Sequence, residues 1–325
     1  MPSYGGLESV PESLLSETRV RRAFPRFLAF LFLFFAFFTG CGQRDRETAE
    51  QPPPETTLLI GLIPEQNIFK QIERYEPLAD YLSKKAGVRI KLKVLTYYGN
   101  VIDNFEALKL DGAFFGSFGY SLAKAKLGVE VLARPEEPDG TSTYHGVIFV
   151  RKNSGIRTVG RMKGKRLALV ARATTAGYLF PLIHMKRAGV GNIDSYFGDV
   201  HFTGTHEGTV RDVLENAADI GAAKNTVFKR LAAEDPRIGR ELTILARSAD
   251  VPENGLALRK TLEDAVKRKI SEALVTMHAD PEGAKVLKAF GARSFIRTTD
   301  ADYEPVLSYT RELGIDLATY RFSNE

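Results

Sequence analysis

Leu58-Leu59-Ile60-Gly61-Leu62 is an apolar run too short for a helix and long enough for a buried strand. The residues after it decide its meaning. Tyr75, Leu78, Tyr81 and Leu82 recur at three- and four-residue spacing, which predicts an amphipathic helix ending near Gly87. Ile90, Leu92 and Val94 then alternate as a strand, Ile102, Phe105 and Leu108 repeat every third residue, and Ala113-Phe114-Phe115 is another short run. Such a βαβαβ series predicts an α/β fold with a mainly parallel sheet covered by helices.

Further along, 147–150 reads as a strand, and Gly155, Gly160 and Gly164 punctuate a basic loop. A second αβ series opens with Leu167-Ala168-Leu169-Val170, continues through a helix at 175–187, and includes runs at 200–203 and 220–223 before a strand at 243–246. Beyond Pro252 helical patterns dominate, at 261–278, 282–290 and 302–313. Two α/β lobes with a helical C-terminal tail are therefore expected. In open α/β sheets the ligand crevice lies beyond the carboxyl ends of the strands, so the polar residues just after each run are the candidate site.

The rest of the composition narrows the class. With 325 residues, 44% hydrophobic and 26% charged, the chain has the make-up of a globular protein of about two domains, not of a disordered or polytopic membrane protein. Its single cysteine excludes a disulfide framework within the chain and a Cys-rich zinc or iron–sulfur site. Eight of the 21 phenylalanines fall between Phe24 and Phe38. There, Arg19, Arg21, Arg22 and Arg26 precede an uncharged apolar run from Phe27 to Phe38, followed by Thr39-Gly40-Cys41. The run falls short of the roughly 20 residues that span a bilayer and suits the h-region of a secretory signal. It resembles a bacterial lipoprotein signal, with Phe38 where the usual box has Leu, which implies that Cys41 is lipidated and becomes the mature N-terminus. The leader 1–18 is long for such a signal and points to a start nearer Val20. Residues 42–56, with Pro52-Pro53-Pro54, read as a flexible tether ending in a stiff spacer. An exported, lipid-anchored domain on the periplasmic side is expected, and the net charge of +5, with no long Lys/Arg block, does not suggest a nucleic-acid partner.

Four strand ends carry polar or glycine residues. Ala173-Thr174-Thr175-Ala176-Gly177-Tyr178 leads into a helix, where hydroxyls and amides without intrahelical partners form an anion site, although Thr174 could equally be an ordinary N-cap. Gly177 would let the backbone approach a ligand. Gly204-Thr205-His206-Glu207-Gly208 places an imidazole in a loop ahead of another helix, as an oxyanion donor whose strength varies with pH or as a solvated loop residue. Tyr97-Tyr98-Gly99 and Phe115-Gly116-Ser117 follow two further strands.

Enzyme motifs are missing. Gly160-Arg161-Met162-Lys163-Gly164-Lys165-Arg166 has three residues between its glycines where a P-loop has four, and lacks the terminal Ser/Thr; His206-Glu207 opens like a zincin helix but has Val210 in place of the second His. No G-x-S-x-G elbow occurs. No catalytic residue, metal or cofactor is expected.

The order of the segments resembles the phosphate/phosphite/phosphonate-binding proteins of ABC importers. The segments are Pro77-Leu78-Ala79-Asp80-Tyr81-Leu82, Leu110-Asp111-Gly112-Ala113, Tyr144 with Val147-Ile148-Phe149-Val150-Arg151-Lys152, Gly164-Lys165-Arg166-Leu167, Thr174-Thr175-Ala176-Gly177-Tyr178-Leu179-Phe180-Pro181 and Thr203-Gly204-Thr205-His206-Glu207. The resemblance covers about 58–313 and implies a two-lobed type II periplasmic binding protein fold whose chain crosses the hinge twice, near 146–150 and 246–258. It divides the chain into a signal at 1–41, a tether at 42–56, one lobe from 57–147 plus 251–325 and another from 148–250. It implies a monomeric receptor that delivers a small phosphorus oxyanion to a permease and ATPase complex. Of the family's Ser-Thr-Ser grip on the phosphoryl oxygens, Thr174, Thr175 and Ala176 match, with one hydroxyl lost. The family histidine matches His206, one tyrosine Tyr98, and a second falls on Phe115. Members that take aminoalkyl phosphonates place acidic side chains at the positions of Asn254 and 225–227, because a buried ammonium needs a counter-charge. Neither position is acidic here, which implies phosphate, phosphite or a simple alkylphosphonate. The same closing fold could serve a membrane histidine kinase or chemoreceptor as a sensor, and an enzyme using His206 and Glu207 is a third, less favoured reading.

Overall fold

The computed structural model describes residues 56–322, so Cys41, the apolar run before it and nearly all of the tether lie outside the described residues. Thirteen strands are present among them: β1 Thr57–Leu62, β2 Arg89–Val94, β3 Gly112–Phe115, β4 Glu130–Glu136, β5 Thr143–Tyr144, β6 Gly146–Arg151, β7 Arg166–Leu169, β8 Asp199–Phe202, β9 Ile220–Lys224, β10 Leu242–Arg247, β11 Val251–Pro252, β12 Gly255–Leu258 and β13 Ser294–Arg297. They build a six-stranded sheet in the order β13-β4-β12-β3-β1-β2, a five-stranded sheet in the order β10-β6-β9-β7-β8, and a two-stranded ladder of β5 and β11.

Within the first sheet, β1 runs parallel to β2 and β3, with helix Ile68–Ala86 as the first crossover. Asn67 starts that helix by accepting from the amides of Phe69 and Lys70, Gly87 ends it in the left-handed region, and Tyr75, Leu78, Tyr81 and Leu82 form its buried face. Both sheets are mixed, which corrects the mainly parallel arrangement expected from the sequence. Strands β12 and β6 each enter their sheet from the other lobe, so β12 lies antiparallel between β3 and β4, and β6 antiparallel between β9 and β10. A βαβ crossover enforces parallel pairing; a hinge crossing does not.

The two crossings are held together as a pair, Tyr144 opposite Val251 and Thr143 opposite Pro252. Strand β6 pairs within the second sheet from Gly146 onward, so the outgoing crossing lies at 143–145, just ahead of the stretch read from the sequence. The tail is also less uniformly helical than its pattern: β12 and β13 interrupt it, and helices Asp264–Thr276, Pro281–Phe290 and Glu304–Leu313 make up the remainder. The last of these reaches the second lobe, where Glu312 receives a two-pronged bond from Arg187.

One apolar cluster runs through both lobes at the hinge and contains Tyr98, Phe115, Phe118, Tyr144, Val170, Ala176, Leu179 and Val251. The site is built against this cluster.

Candidate functional site

Strand register sets the site. Gly146 lies opposite Lys224, which brings the end of β9 to the hinge, and Gly255 lies opposite Phe115, which brings Asn254 beside the start of helix Ser117–Leu127. From the second sheet, the chain after β7 turns into a wide π-helical turn, Thr175–Leu179, before the α-helix Phe180–Arg187. Leu179 N is bonded to Thr174 O, so the amides of 175–178 lie ahead of that bond at the start of the turn. Thr175 Oγ1 accepts from the amide of Phe118 at 2.9 Å, so the starts of two helices, one from each lobe, meet at this hydroxyl. Burial raises the pKa of the Tyr144 hydroxyl, against the lowering pull of the Lys224 charge and of side-chain hydrogen bonds with Thr175 and Ser117.

Thr174 plays a different part. Its hydroxyl donates back to Ala171 O at 2.6 Å and caps no helical amide. Gly177 serves packing: a Cβ there would sit 2.3 Å from Val170 Cγ2, and its carbonyl accepts from the Val170 amide. The close approach expected of it is therefore to the strand end. Ala176 lies against Gly146, where a Cβ would come within 3.1 Å of the Ala176 Cα. Phe115 is wholly buried in the hinge cluster.

His206 opens helix His206–Leu214, with Thr205 capping the Gly208 amide at 2.8 Å. Its Nδ1 lies 3.2 Å from the Lys224 amide and accepts from it, which leaves the proton of the neutral ring on Nε2. Burial, with the nearby Lys224 charge and against the pull of Glu65, lowers its pKa to about 3. The ring is neutral through the physiological range, which corrects the pH-variable donor read from the sequence. From the other lobe the Tyr98 ring stands edge-on to the imidazole at 6.0 Å between centroids. The Tyr98 hydroxyl is buried and has no hydrogen-bond partner among the described residues, and burial beside Glu65 holds its pKa well above the ordinary phenol value. A neutral imidazole N–H and a phenol O–H are both donors suited to an oxyanion.

Next to them is a buried ionic cluster. Lys224 Nζ lies 2.6 Å from Glu253 Oε2, 3.1 Å from Glu65 Oε1 and 3.3 Å from Asn254 Oδ1, with the Tyr144 ring centroid 4.5 Å away. Burial alone would lift the Glu65 carboxyl, but the Lys224 charge, aided by Arg74 and Arg230, brings it down to about 2. Burial likewise works against the Lys224 ammonium, and the carboxylates of Glu253 and Glu65 outweigh it, leaving its pKa raised. The cluster is a lysine cation between two carboxylates in an enclosed setting. A cleft of about 930 Å³ opens beside it between the lobes, lined by Arg74, Glu137, Lys229 and Arg230 among others. Its rim is tied across by Lys70 with Glu234 and by the Asn67 amide with Glu207. Glu207 also bonds Arg211, so its carboxylate is engaged outside any acid–base pairing with His206.

The structure thus brings Tyr98, Thr175, His206 and Asn254 to one region with Tyr144, Glu65, Lys224 and Glu253. The last three escape a reading of the sequence, although Glu65 and Lys224 follow the same rule as the others: each is the polar residue at a strand's carboxyl end. Glu253 directly follows β11, but a strand of two residues, Val251–Pro252, gives no run or alternation in the sequence by which to find it.

Two lobes of mixed sheet, joined by two strands and enclosing polar side chains from both, define a periplasmic binding protein. A structure of a Prochlorococcus marinus homologue in complex with methylphosphonate matches this fold with a TM-score of 0.71 at 21% identity, over 80% of this chain and 98% of that one. The family model for the periplasmic substrate-binding protein of phosphonate ABC transporters matches residues 60–303, and the chain belongs to that family. It is a family of binding proteins, not of enzymes. Among curated relatives, the phosphonates-binding periplasmic protein of Escherichia coli is 23% identical over 256 residues, 78% of this chain and 75% of its own length. A probable phosphite-binding protein of an ABC transporter from Prochlorococcus marinus is 24% identical over 268 residues, 79% of this chain and 89% of its own length.

Proposed function

We propose that this substrate-binding protein closes on a small phosphorus oxyanion without an ammonium group, namely phosphate, phosphite or a simple alkylphosphonate, and delivers it to the permease and ATPase of an importer. The observation that carries the reading is the meeting of Tyr98 from one lobe with neutral His206 from the other, the Tyr98 hydroxyl being buried without a partner among the described residues. Thr175, at the start of the π turn and next to Tyr144, is the third group in this reading. A buried polar group left unpaired is costly, and an oxyanion satisfies the phenol and the imidazole together. The E. coli and Prochlorococcus relatives, named for phosphonates and phosphite, support the ligand class. A thermal-shift screen of the purified protein tests it. At roughly 1,000 times Kd a ligand adds about 4 kcal/mol of stability, so at least one phosphorus oxyanion is expected to raise Tm by several degrees while sulfate does not. Equal shifts, or none, would contradict the reading.

We further propose that Cys41 carries the lipid anchor and that 42–56 tethers the binding unit to the membrane. Charged residues, an apolar run of signal length and a following cysteine support it. Membrane-extracted protein is expected to have the mass of a chain beginning at Cys41 with added acyl groups; an unlipidated chain starting earlier would refute this.

A further inference from the structure

Lys224 is the feature of the cleft that oxyanion binding does not by itself account for. It is a buried lysine at the end of an otherwise apolar strand, Ile220-Gly221-Ala222-Ala223-Lys224. Its ammonium comes from the second lobe, whereas the groups around it come from the first lobe and the hinge: Glu65 after β1, Glu253 and Asn254 before β12, and Tyr144 in β5. Two carboxylates, an amide oxygen and an aromatic face converge on one cation. That is the chemistry of a primary-ammonium cage. Both carboxylates are buried, Glu65 at 6% and Glu253 at 4% exposure, so without a cation in the cage two negative charges next to the anion donors Tyr98 and His206 would lose the one ammonium that contacts them both.

We propose that Lys224 is a specificity-determining residue: its own ammonium fills a cage that would otherwise take the ammonium group of a zwitterionic ligand. The inference rests on the oxyanion reading of the cleft and deepens it, because it names which oxyanions are refused. A ligand carrying phosphonate and ammonium together would have to displace Lys224 and leave that lysine buried without its counter-charges. A ligand with no ammonium leaves the cage undisturbed. The sparing of acidic residues at Asn254 and 225–227 is then only half of the discrimination; the other half is that the acidic residues present, Glu65 and Glu253, are already neutralised from within.

The test compares the wild-type protein with Lys224→Ala, using methylphosphonate and 2-aminoethylphosphonate as calorimetric probes and ethylammonium chloride as a rescue agent against matched potassium chloride. Wild type is expected to prefer methylphosphonate by at least about tenfold, and Lys224→Ala to prefer 2-aminoethylphosphonate by a similar factor, since losing a buried ion's partner shifts equilibria by more than that. A folded Lys224→Ala protein that keeps the wild-type order overturns the proposal. Should the variant not fold in plain buffer, refolding followed by circular dichroism decides: ethylammonium and 2-aminoethylphosphonate are expected to restore the fold where potassium and methylphosphonate do not, and failure of both amines overturns the proposal. If folded wild type binds neither phosphonate, it is the ligand class that fails, and ethylammonium stabilisation of Lys224→Ala still decides the cage.

Discussion

His206 shows how a single residue's surroundings select its chemistry. Accepting from the Lys224 amide ties up Nδ1, and burial forbids the second proton, so the ring offers one N–H and no charge. The folded chain keeps this ring neutral down to about pH 3, while the unfolded chain takes up its proton near the ordinary value of 6.5. Stability from this source is therefore complete above pH 6.5 and drains away as pH falls from 6.5 toward 3. Glu65 acts in the same direction lower down, its contribution being present above 4.5 and lost as pH falls through about 2. The Tm of ligand-free protein is accordingly expected to fall between pH 6.5 and 4.5, and less steeply in His206→Gln, which keeps a donor but does not titrate. An equal slope in the two proteins would assign the acid sensitivity elsewhere. Histidine, tyrosine and threonine can be found from sequence because each stands at the end of a legible strand. The orientation of the Thr174 hydroxyl toward Ala171 cannot, since it depends on the turn that Gly177 makes against Val170.

At the scale of elements, legibility tracks the strength of the periodicity. Helix Ile68–Ala86 declares its buried face through Tyr75, Leu78, Tyr81 and Leu82, strands β1 and β7 show themselves as apolar runs between turn signals, and β2 does so through the alternation of Ile90, Leu92 and Val94. Strand β4 carries Glu130, Arg134 and Pro135, and β12 and β13 are four residues each, lying among strong helical patterns. Their strand state comes from partners distant in sequence: β12 is held between β3 and β4, and β13 is held on the other edge of β4. The π-helical turn reads as ordinary helix in the sequence for a related reason. Its geometry is imposed by packing on β6, where Gly146 admits Ala176 and Phe180, and no local pattern announces it.

At the scale of the molecule, the two lobes share one hinge cluster and several ties across the cleft, among them Lys70 with Glu234, Lys224 with Glu65, and Thr175 with the Phe118 amide. The division into lobes is legible because two αβ series succeed one another in sequence, whereas the mixed pairing of the sheets arises from strands that return through the hinge. Binding groups contributed by both lobes make ligand affinity a property of their meeting. Thr175 is where this is most exposed to test, because its hydroxyl joins the two helix starts beside Tyr144. The decisive measurement is a calorimetric titration of the purified protein and of Thr175→Ala with methylphosphonate and phosphite. Wild type is expected to bind one ligand per chain, and the variant to bind at least about tenfold more weakly, since a charge-assisted hydrogen bond contributes about 1.5–3 kcal/mol. No heat of binding from any phosphorus oxyanion, or an affinity unchanged in Thr175→Ala, would contradict the account.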